Sequence, residues 1–197
     1  SNHFAPIILF VYNRIWHTQQ TIEALQKNEL ASESELYIFA DGAKDNKSYN
    51  NVSEVRRYIQ EVQGFKKIII IEREKNWGLA NSIIDGVTTV VNKYGKVIVL
   101  EDDLITSPFF LRYMNEALDF YNNEENVMHI SGWIHPIDFD SNNDVFLYRV
   151  MNCWGWGTWK ESWDNFEKNT KKLTSSYTKE EIHHFNLEGC NKVWNQV

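Results

Sequence analysis

The stretch VIVLEDDLITSPFF, residues 97–110, runs directly from aliphatic residues into three adjacent acids. Its first four residues have the composition of a buried β-strand, and Glu101, Asp102 and Asp103 follow without a spacer. Adjacent carboxylates repel one another, and burying them removes the water that stabilises their charge. A positive group is therefore expected beside this end of the strand.

The same alternation of strand and helix extends outward from this stretch through the first half of the chain. Apolar, β-rich segments alternate with segments whose apolar residues recur at helical spacing. The predicted strands are residues 6–13, 35–41, 66–74 and 96–103, and the predicted helices are residues 17–28, 51–63, 78–95 and 107–123, with Ser107 as the last N-cap and Pro108 in the first turn. Strands that are apolar throughout and separated by amphipathic helices indicate an α/β fold, whose parallel sheet is covered on both faces.

The rest of the chain is less regular. Short strands are predicted at 127–132 and 145–149, with a polar loop at 138–144 between them. Tryptophans are concentrated after residue 130, and their spacing in CWGWGTWKESW (153–163) fits a core helix, although its two early glycines would interrupt one. We expect a single domain, 1–197.

Composition excludes several classes of protein. The net charge is −7 and the pI about 5.4, so the basic surface of a nucleic-acid-binding protein is missing. No apolar run approaches the length of a membrane span. Cys153 and Cys190 form no CxxC pair, which argues against a disulfide framework and fits a reducing compartment.

Polar side chains lie at the carboxyl end of each of the four predicted strands of the first half, or directly after it. In open α/β sheets ligands bind beyond the carboxyl ends of the strands, so these side chains are the first candidates for a site. They are Tyr12-Asn13-Arg14, Asp41-Gly42, Asn76-Trp77-Gly78 and Glu101-Asp102-Asp103. A divalent cation would relieve the repulsion among the last three and would let an acidic protein hold a diphosphate. The alternative is an acidic turn exposed to water.

The other strand ends are ambiguous when each is taken alone. Asp41 could accept hydrogen bonds from a ribose or a base, but Asp-Gly is also a common turn. Arg14 could bind phosphate or lie solvated on the surface. The segment 76–78 could be a plain loop leading into a helix.

The tryptophans of 153–163 admit two roles. Flat aromatic rings beside polar groups suit stacking on sugars, so we expect some of these rings in the core and one or two in a site. Glu161 and Asp164 lie near them in the sequence. Either carboxylate could act as a general base or belong to a solvated helix face.

Four segments, taken together and in order, resemble bacterial family 2 glycosyltransferases of the GT-A fold. They are PIILFVYNR (6–14), FADG (39–42), NWGLANS (76–82) and VIVLEDD (97–103). The later segments ISGW (130–133) and FLYRVMNCWGWGTW (146–159) resemble N-acetylglucosaminyltransferase I of the Golgi. The resemblance covers residues 5–165. It implies a mostly parallel sheet flanked by helices, with a smaller mixed C-terminal part.

The resemblance also implies roles for individual residues and a bound Mn²⁺ or Mg²⁺. Asp103 would be the main metal ligand, and Asp102 would assist it or contact the ribose. Glu101 would reach the donor sugar. The implied nucleotide-binding residues are Tyr12, Arg14, Asp41 and Asn76, and the implied sugar and acceptor pocket contains Trp133, Trp154 and Trp156.

An inverting transfer, as in the related enzymes, needs a carboxylate base to deprotonate the acceptor hydroxyl. In those enzymes the base lies in the C-terminal half. We expect residues 1–103 to bind the nucleotide-sugar, and residues 104–197 to form an incomplete acceptor-side half. The base is not assigned: the candidates within the chain are Glu161, Asp164 and Glu188, and a residue beyond Val197 is the alternative.

The expected partners are a nucleotide-diphosphate sugar and a glycan or lipid-linked acceptor used in surface polysaccharide synthesis. The resemblance, with no secretory signal visible in the sequence, further implies a bacterial protein in the cytoplasm with at most peripheral contact at the inner membrane face, and the acidic net charge argues against a nucleic-acid partner. A sugar-phosphate nucleotidyltransferase is one alternative, although YNRIWHT (12–18) lacks the glycine-rich loop that it needs. A non-catalytic carbohydrate-binding protein is another, and it would have no use for the acidic cluster.

Overall fold

A computed structural model of the protein describes residues 4–134, 145–190 and 192–196. The strands are β1 Ile7–Val11, β2 Glu35–Ala40, β3 Lys67–Glu72, β4 Lys96–Glu101, β5 Ile130–Ser131 and β6 Trp156–Trp159. The α-helices are α1 Ile15–Gln26, α2 Tyr49–Ile59, α3 Leu79–Tyr94, α4 Phe110–Phe120, α5 Lys160–Trp163, α6 Thr170–Ser176 and α7 Lys179–Phe185. Short 3₁₀ turns occupy Ala31–Glu33 and Val193–Gln196.

All six described strands join one sheet in the order β3-β2-β1-β4-β6-β5. The strands β1 to β4 are parallel to one another, whereas β6 runs antiparallel to both β4 and β5. The α/β class and the mostly parallel sheet flanked by helices are therefore confirmed. The four predicted strands and four predicted helices of residues 6–123 are all present, with boundaries shifted by a few residues.

The core has two layers because successive strand residues point to opposite faces of the sheet. In β1, Ile7 and Leu9 pack in a cluster with residues of α1, α2 and α4. Ile8 and Phe10 pack in a second cluster with residues of α3. All four side chains are buried, which explains why the central strands are apolar throughout rather than alternating.

The parallel strands bring four chain segments to one edge. The strand register pairs Ala40 at the end of β2 with Val11 of β1 and with Glu72 of β3, and pairs Phe10 of β1 with Glu101 of β4. The residues that follow these strands therefore lie side by side at their carboxyl ends. We call this the carboxyl edge of the sheet.

The predicted start of the fourth helix is wrong. α4 begins at Phe110, and the Ser107 hydroxyl lies in the preceding turn, where it accepts a hydrogen bond from Phe109 N at 3.3 Å. The helix is capped from a distance instead: the side-chain oxygen of Asn28, 83 positions earlier, accepts a hydrogen bond from Leu111 N at 2.9 Å. Local rules for helix starts cannot detect a cap that only the folded chain supplies.

The C-terminal part differs most from the predicted pattern. The strand predicted at 127–132 shortens to β5, residues 145–149 form no strand, and the loop predicted at 138–144 lies outside the described residues. The tryptophan-rich segment forms β6 instead. A Cβ at Gly157 would meet Val97 O at 3.0 Å and the Met114 side chain at 3.1 Å, so glycine lets α4 pack directly on this strand.

Two findings concern the thiols and the membrane. Cys153 and Cys190 are both exposed free thiols. Among the helices of the described residues, none is both long enough and apolar enough to cross a bilayer.

Candidate functional site

The acidic cluster at the end of β4 faces an arginine from the end of β1. Arg14 donates hydrogen bonds from one guanidinium nitrogen, Nη2, to Asp102 and, at 3.0 Å, to Asp103. The Asp102 side chain is only 6% exposed, whereas those of Arg14 and Asp103 are 44% and 42% exposed. Arg14 is thus the positive group that the three adjacent acids were expected to require.

The cluster still carries an excess of negative charge, because one guanidinium faces three carboxyl groups. Burial, and then the charges of Asp103 and Asp102, raise the pKa of Glu101 against the opposing effect of Arg14. Burial also raises the pKa of Asp102, against the hydrogen bond from Arg14. Oδ2 of Asp102 is buried and has no hydrogen-bond partner. A bound cation or hydroxyl at this position would therefore be stabilising.

The raised pKa of Glu101 gives a pH-dependent prediction. Because the folded-state pKa lies above the unfolded one, ionised Glu101 destabilises the fold at neutral pH, and this penalty vanishes below about pH 4. We expect Glu101→Gln to raise Tm by about 1 to 2 °C at pH 7, a small gain because Glu101 is only partly buried. Thermal unfolding followed by circular dichroism should show this gain shrinking toward zero at acid pH. An equal gain at both pH values would instead indicate a packing effect.

Asp41, at the end of β2, holds the loop that follows β3. Its Oδ1 accepts hydrogen bonds from the backbone N–H groups of Gly42 at 2.9 Å and Trp77 at 2.8 Å. Its Oδ2 accepts from Asn76 Nδ2 at 3.1 Å and Gly78 N at 2.9 Å. In the structure Asp41 and Asn76 therefore order this loop, and their contact with a nucleotide remains a prediction.

The same loop depends on the absence of a side chain at Gly42. A Cβ built there would lie 2.5 Å from the carbonyl carbon of Lys75 and 2.9 Å from Asn76 N, and both are backbone atoms. We expect Gly42→Ala to lower the free energy of unfolding by about 1 to 3 kcal/mol, measured by urea denaturation. The neighbouring substitution Ala43→Ser should change it by less than about 0.5 kcal/mol. Equal stability of the two variants would show that the loop can move aside.

Two arginines that the sequence did not predict as site residues contact this loop and stabilise it. Arg56 of α2 donates to Asp41 O at 3.3 Å and to Arg73 O at 2.6 Å. The Arg73 guanidinium lies 4.0 Å from the centroid of the Trp77 ring and forms an ion pair with Asp85. In the sequence, Arg56 looks like an ordinary charge on an amphipathic helix, so its role depends on tertiary contacts.

Tyr12 also lies at the carboxyl edge. Its hydroxyl accepts a hydrogen bond from Lys44 N at 3.1 Å, which links the end of β1 to the loop after β2. The structure thus places Tyr12, Arg14, Asp41 and Glu101 at this edge, as expected for residues at the ends of parallel strands.

A cleft of about 430 Å³ opens beside the acidic cluster. Asp103, Trp133 and Trp154 line it together with Phe109 and Tyr113. The rings of Trp133 and Trp154 meet edge to face at a centroid distance of 4.4 Å, and Trp154 is 47% exposed. Two of the three tryptophans expected in a sugar pocket therefore share a cleft with the expected metal ligand. We call this space the aromatic cleft.

The third tryptophan belongs to the core. Trp156 is buried, and its side chain packs in the cluster on the α3 face, with its ring 6.0 Å from that of Trp163. The resemblance implied that Trp154 and Trp156 both line the pocket. The start of β6 at Trp156 separates them, and it turns the Trp156 ring into the interior.

Two candidate bases lie at the wrong edge of the sheet. Because β6 runs antiparallel to β4, Trp156 pairs with Val99 and Trp159 with Lys96. Glu161 and Asp164 follow β6 and therefore lie at the amino end of β4, roughly 16 Å from its acidic end. Their proximity in sequence to the tryptophans was misleading, and the structure gives no support to either as the base.

Glu188 is held in an ion pair. Its carboxylate lies 2.5 Å from Nη2 of Arg149 and 2.8 Å from Nδ1 of His184. The hydrogen bond from Arg149 lowers the pKa of Glu188, which makes this carboxylate a weaker base. Glu188 does not line the aromatic cleft.

The residues of the carboxyl edge fit a metal held jointly with a substrate. Within the part of the chain that the structure describes, no three His, Cys, Asp or Glu side chains converge into a metal site. Divalent cations that act on nucleotides are commonly held by one or two carboxylates, with phosphate oxygens and water completing the coordination. The exposed carboxylate of Asp103 and the unpaired Oδ2 of Asp102 suit that arrangement.

Comparison with known proteins gives a family match over most of the chain. The sequence model described as Glycosyl transferase family 2 matches residues 7–185. No curated protein matches the chain significantly.

Solved structures with a similar fold were also found. The mannosyltransferase PcManGT from Pyrobaculum calidifontis, in complex with GDP-Man and Mn²⁺, is 14% identical with a TM-score of 0.48, over 65% of this chain and 34% of that one. TarS of S. aureus is 15% identical with a TM-score of 0.43, over 59% and 20%. The glycosyltransferase GlyE of Streptococcus pneumoniae is 14% identical with a TM-score of 0.41, over 91% and 40%. This chain thus spans 20% to 40% of the length of these three proteins.

Proposed function

The chain belongs to glycosyl transferase family 2, and from that premise we propose that its carboxyl edge binds a nucleotide-diphosphate sugar for metal-dependent, inverting transfer to an acceptor. The observation that carries this proposal is the meeting of Arg14, Asp102 and Asp103 beside the aromatic cleft. The Arg14 guanidinium can bind a diphosphate, and the carboxylates of Asp102 and Asp103 can hold its metal ion. The aromatic cleft can hold the sugar.

The donor would lie across the ends of β1 to β4. Arg14 would bind the diphosphate, since a guanidinium recognises phosphate oxygens with several donors. Tyr12, Asp41 and Asn76 lie on the side of β1 and β2, where the nucleoside would sit, and Glu101 would reach the donor sugar. Asp103, assisted by Asp102, would hold Mn²⁺ or Mg²⁺, which would supply Lewis-acid stabilisation of the departing diphosphate.

In the proposed reaction an acceptor hydroxyl oxygen attacks the anomeric carbon from the side opposite the diphosphate. The bond from that carbon to the diphosphate oxygen breaks, and Arg14 stabilises the negative charge that develops on the leaving group. A base must remove the hydroxyl proton, and no candidate named from the sequence lines the cleft among the described residues. By its resemblance to related enzymes, the base would belong to the C-terminal half.

The acceptor would be a glycan or a lipid-linked sugar of bacterial surface polysaccharide, used at the cytoplasmic face of the membrane with at most peripheral contact. The rim of the aromatic cleft supports an acceptor with an apolar part, because Ile105 and Phe109 are 70% and 58% exposed there. The resemblance of residues 130–133 and 146–159 to N-acetylglucosaminyltransferase I further predicts that these segments shape the sugar and acceptor pocket in the same cleft.

Calorimetric titration of UDP and of GDP, each with and without Mn²⁺, tests this proposal. We expect one nucleotide to bind and its affinity to depend on Mn²⁺. Release of pyrophosphate from a nucleoside triphosphate and a sugar phosphate would favour a nucleotidyltransferase, although the short connection from β1 to α1 contains no glycine. Binding of free sugar without nucleotide or metal would favour a carbohydrate-binding protein.

A further inference from the structure

We propose that Arg14 is an exchangeable counter-ion, which occupies the acidic pair Asp102 and Asp103 until a metal ion and a diphosphate replace it there. This inference deepens the proposed function, on which it rests, by assigning the group that holds the acidic pair before the donor binds. It gives Arg14 two positions: on the carboxylates in the free protein and on the phosphates when the donor is bound.

The contacts of Arg14 define the first position. A single nitrogen, Nη2, donates to both carboxylates, so the guanidinium lies between the two groups that would hold a cation. A metal ion at the unpaired Oδ2 of Asp102 or on Asp103 would lie close to the guanidinium that holds the other oxygens of these two carboxylates, and two positive groups at that separation repel. Arg14 and the metal therefore compete for the same two carboxylates.

The backbone of Arg14 is held in place, whereas its side chain is free to move. Its backbone is fixed at the start of α1, where its carbonyl oxygen accepts hydrogen bonds from Thr18 N at 2.9 Å and Thr18 Oγ1 at 3.0 Å. Its side chain is 44% exposed, and its described polar contacts are the two carboxylates. The guanidinium can leave them without disturbing the helix.

The exchange predicts how metal and diphosphate affect one another. Without a diphosphate, a metal must displace Arg14 into water and leave its charge without a partner, so metal alone binds weakly. With a diphosphate present, the displaced guanidinium gains phosphate oxygens, and the metal gains phosphate ligands. Each ligand therefore raises the affinity of the protein for the other.

Titration of Mn²⁺ alone, followed by the electron paramagnetic resonance signal of free Mn²⁺, tests the competition. We expect Arg14→Gln to bind Mn²⁺ about tenfold more tightly than the wild type without nucleotide. The control Lys44→Gln removes a positive charge from the same edge, where the Lys44 side chain acts on Asp45, whose pKa it lowers, and is not among the charges that shift the pKa of Asp102. Its Mn²⁺ affinity should change less than about twofold. Unchanged or weaker Mn²⁺ binding by Arg14→Gln would overturn the proposal.

Two further measurements separate this inference from the proposed function. In Arg14→Gln, UDP or GDP with Mn²⁺ should bind more weakly than in the wild type, so the two ligands change affinity in opposite directions. Saturating Mn²⁺ should also raise Tm more in Arg14→Gln than in the wild type, which checks that the variant is folded. If the wild type binds neither nucleotide, the proposed function fails, while the Mn²⁺ comparison still decides whether Arg14 competes with metal.

Discussion

Replacing Asp103 by alanine is expected to lower the Mn²⁺-dependent affinity for a nucleoside diphosphate by about 100-fold or more. Asp103 supplies the exposed carboxylate at the carboxyl edge and lines the aromatic cleft. Changes to groups that merely support a metal ligand cost 10- to 100-fold, so loss of a ligand should cost at least as much. Asp102 alone would remain, paired with Arg14.

Calorimetry on matched variants checks this result. Glu116→Gln removes an exposed carboxylate of α4 that pairs with Arg112, and it should bind as the wild type does. Asp103→Ala should keep Tm within about 2 °C of the wild type, because an exposed ion pair adds little stability. Nucleotide binding by Asp103→Ala with undiminished dependence on Mn²⁺ would place the metal elsewhere.

The largest expected loss of stability follows from Asp41→Ala, about 3 kcal/mol in the free energy of unfolding. The substitution removes the acceptor of four hydrogen bonds, three of them from the backbone N–H groups of Gly42, Trp77 and Gly78. Asp41 is buried, so water cannot simply replace the lost acceptor. The loop after β3 should detach from the end of β2, and nucleotide binding should fall with it.

Asp41→Asn tests whether the stability depends on the two acceptor oxygens of Asp41 or only on the size and shape of its side chain. Its amide nitrogen would replace one oxygen and face donors rather than acceptors, so we expect most of the loss to persist. Urea denaturation measures the stability, and hydrogen exchange of Trp77 and Gly78 measures the loop. Asp45→Asn is the control, because Asp45 is an exposed carboxylate that accepts from Ser48 N at 2.8 Å near the start of α2. Equal losses in the two asparagine variants would contradict the role of Asp41.

The first half of the fold could be predicted because its residues follow local rules. Each central strand is buried on both faces, so it is apolar throughout, and each helix shows one apolar face. Parallel strands then place their carboxyl ends together, which makes Arg14, Asp41 and the acidic cluster neighbours without any knowledge of contacts. A positive charge was expected beside the acids, but its identity as Arg14 depends on a contact between the ends of two distant strands.

The second half could not be predicted because its features depend on distant contacts. β6 forms by pairing with β4, and this antiparallel pairing buries Trp156 and carries Glu161 to the far edge of the sheet. Asn28 caps α4, and Arg56 donates a hydrogen bond to the backbone at the start of the loop after β3. The resemblance implied a pocket role for Trp156, but β6 buries its ring in the core. Sequence proximity suggested Glu161 as a base, but the antiparallel direction of β6 carries it to the other edge.

The central claim is that a metal and a diphosphate meet at the carboxyl edge of this member of glycosyl transferase family 2. Paramagnetic broadening of backbone amide signals by Mn²⁺, with whichever of UDP or GDP binds, locates the metal directly. We expect the broadening to centre on residues 101–104 and to extend to residues 12–14 and to Trp154 in the aromatic cleft. Broadening centred elsewhere, for example on Glu188 and His184, would contradict the claim.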